Sequence, residues 1–477
     1  MRNEEADNTM STPYPGPKTR AVLERGAPLF LNGLRYEAAQ KQATRRGFRA
    51  AGQLLVDRAE GDYVWDLDGN RLIDFQNGWA TNPLGNAHPE VIEAVHEAHQ
   101  RYGFHYDHPL RYELAEKLAE IMPGRALPRF SYEVSGTEAA EAAIYMAMCF
   151  KRRRRFITFS ASYHGNSIAM KAASGGDPHL KPYLEGWSGG AICAPFPFSD
   201  HLPPDIDEAT YSDYCLWYLE NHIPQCVAKT EDIAAVIIEP GLAEGGNWIP
   251  NKSFLQGVRD ICTRNDWLMV ADEVLTGLGR TGKMWAVEHY DVVPDILVVG
   301  KNLSGGIEPC AGVAARDDIL GDNPEFTAGS TFAGTPAGCA AGLKTLEIFA
   351  RDNVIEHAAQ LSAIAAEIMR PWEEKYEIVR QVRGNGLLLG VSFQPLEGDV
   401  DAEDWWYARA VRSHMLAAGV WAISDRENTI RLYPALTMQE ATLREGLAIM
   451  EAAIERVCRE GQTVGDSPAW PTGVAGF

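Results

Sequence analysis

Lys301 follows a short apolar run, Ile296 to Gly300, in the segment Val298-Val299-Gly300-Lys301-Asn302-Leu303-Ser304-Gly305-Gly306. Lysine is rarely buried without a partner. Desolvation lowers the pKa of an ammonium group and makes the neutral amine available for Schiff-base chemistry. A lysine on the solvated loop beyond the strand is the ordinary alternative. Asp272 weakens it: this carboxylate ends another apolar run, Trp267 to Ala271, and precedes Lys301 by 29 residues, one strand-to-strand unit. A buried carboxylate needs a partner. Asp272 could cap a turn, or it could keep a heterocyclic nitrogen protonated. A close ion pair of the second kind is worth about 4 kcal/mol at an effective dielectric of about 20, before desolvation costs.

Two further clusters carry chemistry. In Tyr132-Glu133-Val134-Ser135-Gly136-Thr137-Glu138, two hydroxyls flank a glycine at the start of a helical pattern. Free N–H groups at a helix N-terminus, with Ser135 and Thr137 as donors, suit a phosphate. An ordinary N-cap explains the same residues when they are taken alone. The second cluster is Ile237-Ile238-Glu239-Pro240 followed by Glu244-Gly245-Gly246.

The elements that must position these residues alternate along the chain. A hairpin is expected over Tyr63–Leu67 and Arg71–Phe75, turning at Asp68-Gly69-Asn70. Helical spacing follows in Val91, Ile92, Val95 and Ala98, and again in Ala140, Ala143, Ile144, Ala147 and Met148. Strand candidates are Arg155–Phe159, Ala234–Ile238, Trp267–Ala271 and Ile296–Gly300. Strands alternating with helices predict an α/β fold whose mostly parallel sheet is covered on both faces, with ligands at the carboxyl ends of its strands. The expected organisation is a loose tail over 1–20, an N-terminal part of a small domain over 21–80, a large domain over 81–335 and a C-terminal small domain over 336–477.

Composition narrows the partners. With 44 Lys+Arg against 65 Asp+Glu, the net charge of −21 disfavours a nucleic-acid backbone, which binds through cationic contacts. The basic run Lys151–Arg155 reads as a solvated helix end. The eight cysteines form no CxxC pair and no His/Cys cluster, so no metal site is expected, and scattered thiols suit a reducing cytoplasm. No run reads as a membrane span.

Taken in order, Ile237–Pro240 with Gly245-Gly246, then Ala271–Val274 with Gly277–Trp285, then Lys301, resemble the class III (subgroup II) aminotransferases, fold type I enzymes that use pyridoxal 5′-phosphate. The similarity spans roughly Tyr63 to the C-terminus. It implies that Lys301 is the Schiff-base lysine and proton shuttle, and that Asp272 pairs with the pyridinium nitrogen. Val274 would pack on one ring face and Tyr163, in Ser162-Tyr163-His164-Gly165, on the other. Ser135, Gly136 and Thr137 would hold the phosphate, with Glu239 also at the cofactor. Thr331, in Gly329-Ser330-Thr331-Phe332, resembles the threonine lent to the partner subunit's phosphate, so a homodimer with shared active sites is implied. Arg431 is similar to an arginine that pairs with the counterpart of Glu244 and binds a donor carboxylate; a purely structural ion pair is the competing reading. Trp79 matches a pocket position that is often aromatic, or else is a hairpin-edge core residue.

The chain also departs from the family. Leu275 replaces a frequent glutamine, Asn86 and Ala328 replace histidines, and Thr335 replaces an asparagine. Residues 156–258 contain no arginine, where relatives acting on ω-amino acids carry one for a carboxylate. Lys171 or Lys181 would substitute less selectively. The substrates implied are therefore a small-molecule amine without a nearby carboxylate, an amino sugar of secondary metabolism among them, and a carbonyl compound, with glutamate as a donor. Resemblance to isoleucine 2-epimerase in Gly279–Ala286 keeps an epimerase as the alternative. There Cys310 would serve as a second acid/base; its plainer reading is a small buried thiol. A non-enzymatic binding protein is the third reading, opposed by the presence of both Lys301 and Asp272.

Overall fold

A computed structural model describes residues 10–26, 29, 54–103, 107–175, 184–187, 190–198, 202–321, 323, 325–327, 329–396, 407–424 and 428–460. After the helix Pro17–Gly26 come three strands: β1 (Val56–Glu60), β2 (Tyr63–Asp66) and β3 (Arg71–Asp74). The expected hairpin is present, with Tyr63 opposite Ile73 and Trp65 opposite Arg71.

The central sheet has seven strands: β4 (Arg129–Glu133), β5 (Arg155–Phe159), β6 (Ala191–Ala194), β7 (Ile233–Ile238), β8 (Leu268–Asp272), β9 (Ile296–Val299) and β10 (Ala311–Ala315). Their order is β4-β10-β9-β8-β7-β5-β6, and β10 alone runs against the others. Strands β7, β8 and β9 are buried along their whole length. Their side chains divide by parity. Ala235, Ile237, Leu268, Val270, Ile296 and Val298 pack with the helix Gly136–Lys151, while Val236, Ile238, Met269, Ala271, Leu297 and Val299 join the larger core on the opposite face. Burial on both faces is why these strands read as continuous apolar runs.

The remaining strands tie the two ends of the chain together. β11 (Val379–Asn385), β12 (Leu388–Phe393), β14 (Ile423–Ser424) and β15 (Thr429–Leu432) form an antiparallel sheet ordered β11-β12-β15-β14. β13 (Val420–Trp421) instead pairs in parallel with β3, Val420 beside Ile73. The helix Pro336–Arg351 lies against Pro89–Tyr102 and Pro109–Ile121.

Two expectations are corrected. The described part of the tail, Met10–Arg20, is docked rather than loose. Asp68 accepts hydrogen bonds from the N–H groups of Lys18 and Thr19 and from the Thr19 hydroxyl, capping the helix Pro17–Gly26. Asn70 accepts from Ser11 and from the Thr12 N–H. Residues 1–9 lie outside the described residues, as do Lys181 and Ala328. The basic run is not simply solvated either: Lys151 and Arg153 both pair with Asp266, and Arg153 also donates to the Ile233 carbonyl.

Candidate active site

Lys301 begins a turn just past β9, with φ of +42°, a left-handed conformation uncommon outside glycine. Its ε-amino group makes no hydrogen bond or ion pair among the described residues. Burial lowers its pKa; Glu239, Asp272 and Glu244 oppose that shift and Arg431 adds to it. Four charged groups from three separate segments therefore lie within electrostatic range of one amine.

Asp272 ends β8, one strand away. Its Oδ1 accepts from the Val274 N–H at 3.1 Å, the turn-capping role open to it from sequence. Its Oδ2 lies 2.8 Å from Nδ1 of His164, a residue sequence reasoning passed over although it stands beside Tyr163. A carboxylate can only accept, so Nδ1 carries the proton. The pair is sealed, with side-chain exposures of 0% and 5%. Burial works against charging His164, but the hydrogen bond and charge of Asp272, with Glu239, outweigh it and raise its pKa.

Glu239 holds two loops together. Its carboxylate accepts from the Tyr163 N–H at 2.7 Å and from the Ala243 N–H at 3.3 Å. Burial raises its pKa to about 7. Tyr163 is half-buried, and burial with the charges of Glu244, Glu239 and Asp272 lifts its phenol to about 12.

The segment at Ser135 adjoins this group. Ser135 is the N-cap of the helix Gly136–Lys151, its Oγ accepting from the Glu138 N–H at 3.2 Å, which leaves its hydroxyl proton to donate outward. Glycine is required at 136 because a Cβ there would come within 2.7 Å of Val274 Cγ1. Gly300 packs on the same valine: a Cβ on it would meet Val274 Cγ1 at 3.4 Å and Gly136 Cα at 3.8 Å. Val274 thus joins the helix N-terminus to the strand end that carries Lys301. Thr137 accepts from the Asn166 N–H at 3.3 Å, bringing the loop after Tyr163 onto that helix.

On the other side, Arg431 in β15 is buried. It donates to the Ala243 carbonyl at 3.0 Å and lies 3.7 Å from Glu244 Oε1. A second guanidinium, missed in the sequence, braces this loop: Arg383 donates to the Gly246 carbonyl at 2.7 Å and stacks on Trp248. Trp79 packs with Ala243, Leu275 and Tyr433 from a turn, Asn77–Ala80, in which every residue has φ between +52° and +61°. Left-handed geometry costs a non-glycine residue about 1–2 kcal/mol.

Two candidates lie apart. Cys310 belongs to the core beside Gly338, and burial raises its thiol pKa well above the usual value, with Cys339 adding to the shift. That fits the small buried thiol. Thr331 is exposed and makes no hydrogen bond among the described residues; with Arg111, Tyr132 and Gly334 it lines a separate cavity of about 750 Å³.

The family profile described as aminotransferase class-III matches residues 48–454. The chain belongs to the class-III aminotransferases. It is 31% identical over 429 residues to a probable 4-aminobutyrate aminotransferase of Bacillus subtilis, covering 88% of this chain and 97% of that protein. It is also 31% identical to a leucine/methionine racemase of Thermococcus litoralis, over 87% of this chain and 93% of the racemase. Among solved structures it is similar to an amine transaminase from an uncultivated Pseudomonas species, at 27% identity and a TM-score of 0.77, covering 85% and 95% of the two chains. The fold is that of fold type I, and this class-III aminotransferase uses pyridoxal 5′-phosphate. Its residues fit that group: a half-buried amine without a hydrogen-bonding partner among the described residues, an acceptor carboxylate on the neighbouring strand, and a glycine at a helix N-terminus. Among the described residues, no helix is long and apolar enough to cross a membrane.

Proposed function

We propose that this chain moves an amino group between a primary amine lacking a nearby carboxylate and a small carbonyl compound, with Lys301 as the residue that holds the cofactor and moves the proton. The observation that carries this reading is the placement of Lys301 and Asp272 at the ends of neighbouring strands, with Glu239, Glu244 and Arg431 in electrostatic range of a half-buried amine that makes no hydrogen bond among the described residues. When bound, pyridoxal phosphate supplies an electron sink for the carbon that loses its proton. Asp272, backed by His164, would hold the ring nitrogen; Val274 and Tyr163 would hold the ring faces, with Glu239 fixing the Tyr163 loop. Ser135, Gly136 and Thr137 would hold the phosphate. Lys301 Nζ, with its pKa lowered, is a base able to take a proton and return it.

The absence of arginine from residues 156–258 and the apolar wall of Trp79, Leu275 and Ala243 support an uncharged end for the amine, an amino sugar included. Arg431, paired with Glu244, is suited to a donor carboxylate such as that of glutamate. Thr331, exposed on its loop, supports a homodimer in which it reaches the partner subunit's phosphate. We place the enzyme in the cytoplasm, and we keep the division at 21–80, 81–335 and 336–477. An amine-donor and acceptor screen followed through the cofactor's absorption tests the reaction.

Epimerisation is the second reading, favoured by the similarity to the leucine/methionine racemase. The burial of Cys310 speaks against the second acid/base it would use. Deuterium entering one carbon from heavy water, with no keto or aldehyde product, would establish it instead.

A further inference from the structure

The left-handed turn Asn77–Ala80 has only Gly78 to ease it, and Asn77, Trp79 and Ala80 share its positive φ, so something must hold it. Asp74 holds its start: Oδ1 accepts from the N–H groups of Gln76 at 3.0 Å and Asn77 at 2.8 Å. Oδ2 of the same carboxylate accepts from Asn86 Nδ2 at 3.0 Å. That amide nitrogen also donates to the Gly61 carbonyl at 3.2 Å, while Asn86 Oδ1 accepts from Asn82 Nδ2 at 2.7 Å. The orientation of the Asn86 amide follows from its neighbours, because a carboxylate and a carbonyl can only accept. Asn82 in turn presses on the loop after Lys301: a Cβ on Gly306 would fall 1.7 Å from Asn82 Oδ1. The C-terminal lobe grips both flanks, since the Tyr433 N–H donates to the Phe75 carbonyl at 2.7 Å and the Leu436 N–H to the Pro83 carbonyl at 2.8 Å.

We propose that Asn86, acting through Asp74 and Asn82, is a positioning residue that fixes the strained turn carrying Trp79 relative to the Lys301 loop, and so sets the shape of the amine pocket. This rests on the aminotransferase reading given above. The residue type follows from a count of groups. Asn86 makes three side-chain hydrogen bonds, two as donor and one as acceptor. A neutral imidazole has one donor and one acceptor, so a histidine here must give up at least one of the three. The departure from the family at Asn86 is thereby tied to the substrate side of the cleft.

Hydrogen exchange and steady-state kinetics on the full-length, cofactor-loaded enzyme test this with Asn86→His and Asn82→Ala. In both variants the amides of Gln76, Asn77 and Ala80 should exchange faster, and KM for the amine should rise about tenfold while kcat and cofactor absorption hold, the pattern of lost ground-state positioning. Asn82→Ala removes a single arm, so it is the informative variant if Asn86→His fails to fold. Wild-type exchange rates at those amides, or kcat and cofactor occupancy falling together with KM unchanged, would overturn the proposal. Exchange needs no turnover. An enzyme inert toward every amine would therefore sink the aminotransferase reading while faster exchange still upheld the positioning role.

Discussion

Nδ1 of His164 lies 2.8 Å from Oδ2 of Asp272, and both side chains are buried. The carboxylate proposed to face the cofactor ring is thus already braced from behind by a group that carries a proton. A brace of this kind orients the acceptor, as partners behind a metal ligand do. It also makes His164, like Glu239, a site residue whose charge should report on pH.

Replacing His164 with asparagine should lower stability, since breaking a buried pair costs about 3–5 kcal/mol. The sign with pH follows from its raised pKa. The stabilisation is complete below the unfolded value of about 6.5 and is lost as pH rises through the higher folded value. Melting curves of both proteins from about pH 6 to about pH 9 should therefore converge toward the alkaline end. A constant gap would mean that His164 is neutral in the folded enzyme.

Lys301→Ala should abolish borohydride-fixed pyridoxyl labelling and slow turnover by about 10²–10⁴-fold or more, the scale of a lost general base. Peptide mapping and single-turnover absorption read the two effects separately. Full turnover in this variant is the result that removes Lys301 from the mechanism.

Gly136→Ala places a methyl group 2.7 Å from Val274 Cγ1, so the valine or the helix start must move. Overpacking of this kind costs about 1–3 kcal/mol. Spectroscopic titration with pyridoxal phosphate should show affinity weakened by about tenfold or more, equivalent to about 1.4 kcal/mol. Unchanged affinity would separate the glycine from the phosphate site.

Arg431→Gln should separate the two half-reactions. The KM for a carboxylate donor should rise about 10- to 100-fold, at 1.4 kcal/mol per tenfold, while the uncharged amine is handled as before. Equal losses for both substrates would return Arg431 to a structural partner of Glu244 and the Ala243 carbonyl.

The strands that carry Lys301 and Asp272 were legible because burial on both faces writes them as unbroken apolar runs; β5 matches its expected bounds, and β7, β8 and β9 fall within one residue of theirs. The segment proposed to hold the phosphate was legible as a cap preceding an alanine-rich helix. Other features left no local trace. The turn at Asn77–Ala80 has one glycine, Gly78, and is otherwise held by Asp74, Asn86 and Asn82. The N-terminal helix is capped by Asp68, about 50 residues away along the chain. His164 was overlooked because its partner lies 108 residues further on, and only the packed sheet brings the two together.

The parallel pairing of Val420 with Ile73 has a consequence during synthesis. The first hairpin can form as soon as it leaves the ribosome, but its outer edge stays open until some 350 further residues have emerged. Such a distant closure makes for slow folding and leaves a template for stray pairing in the meantime. Nascent chains halted before Val420 should depend on chaperones in a way the finished protein does not.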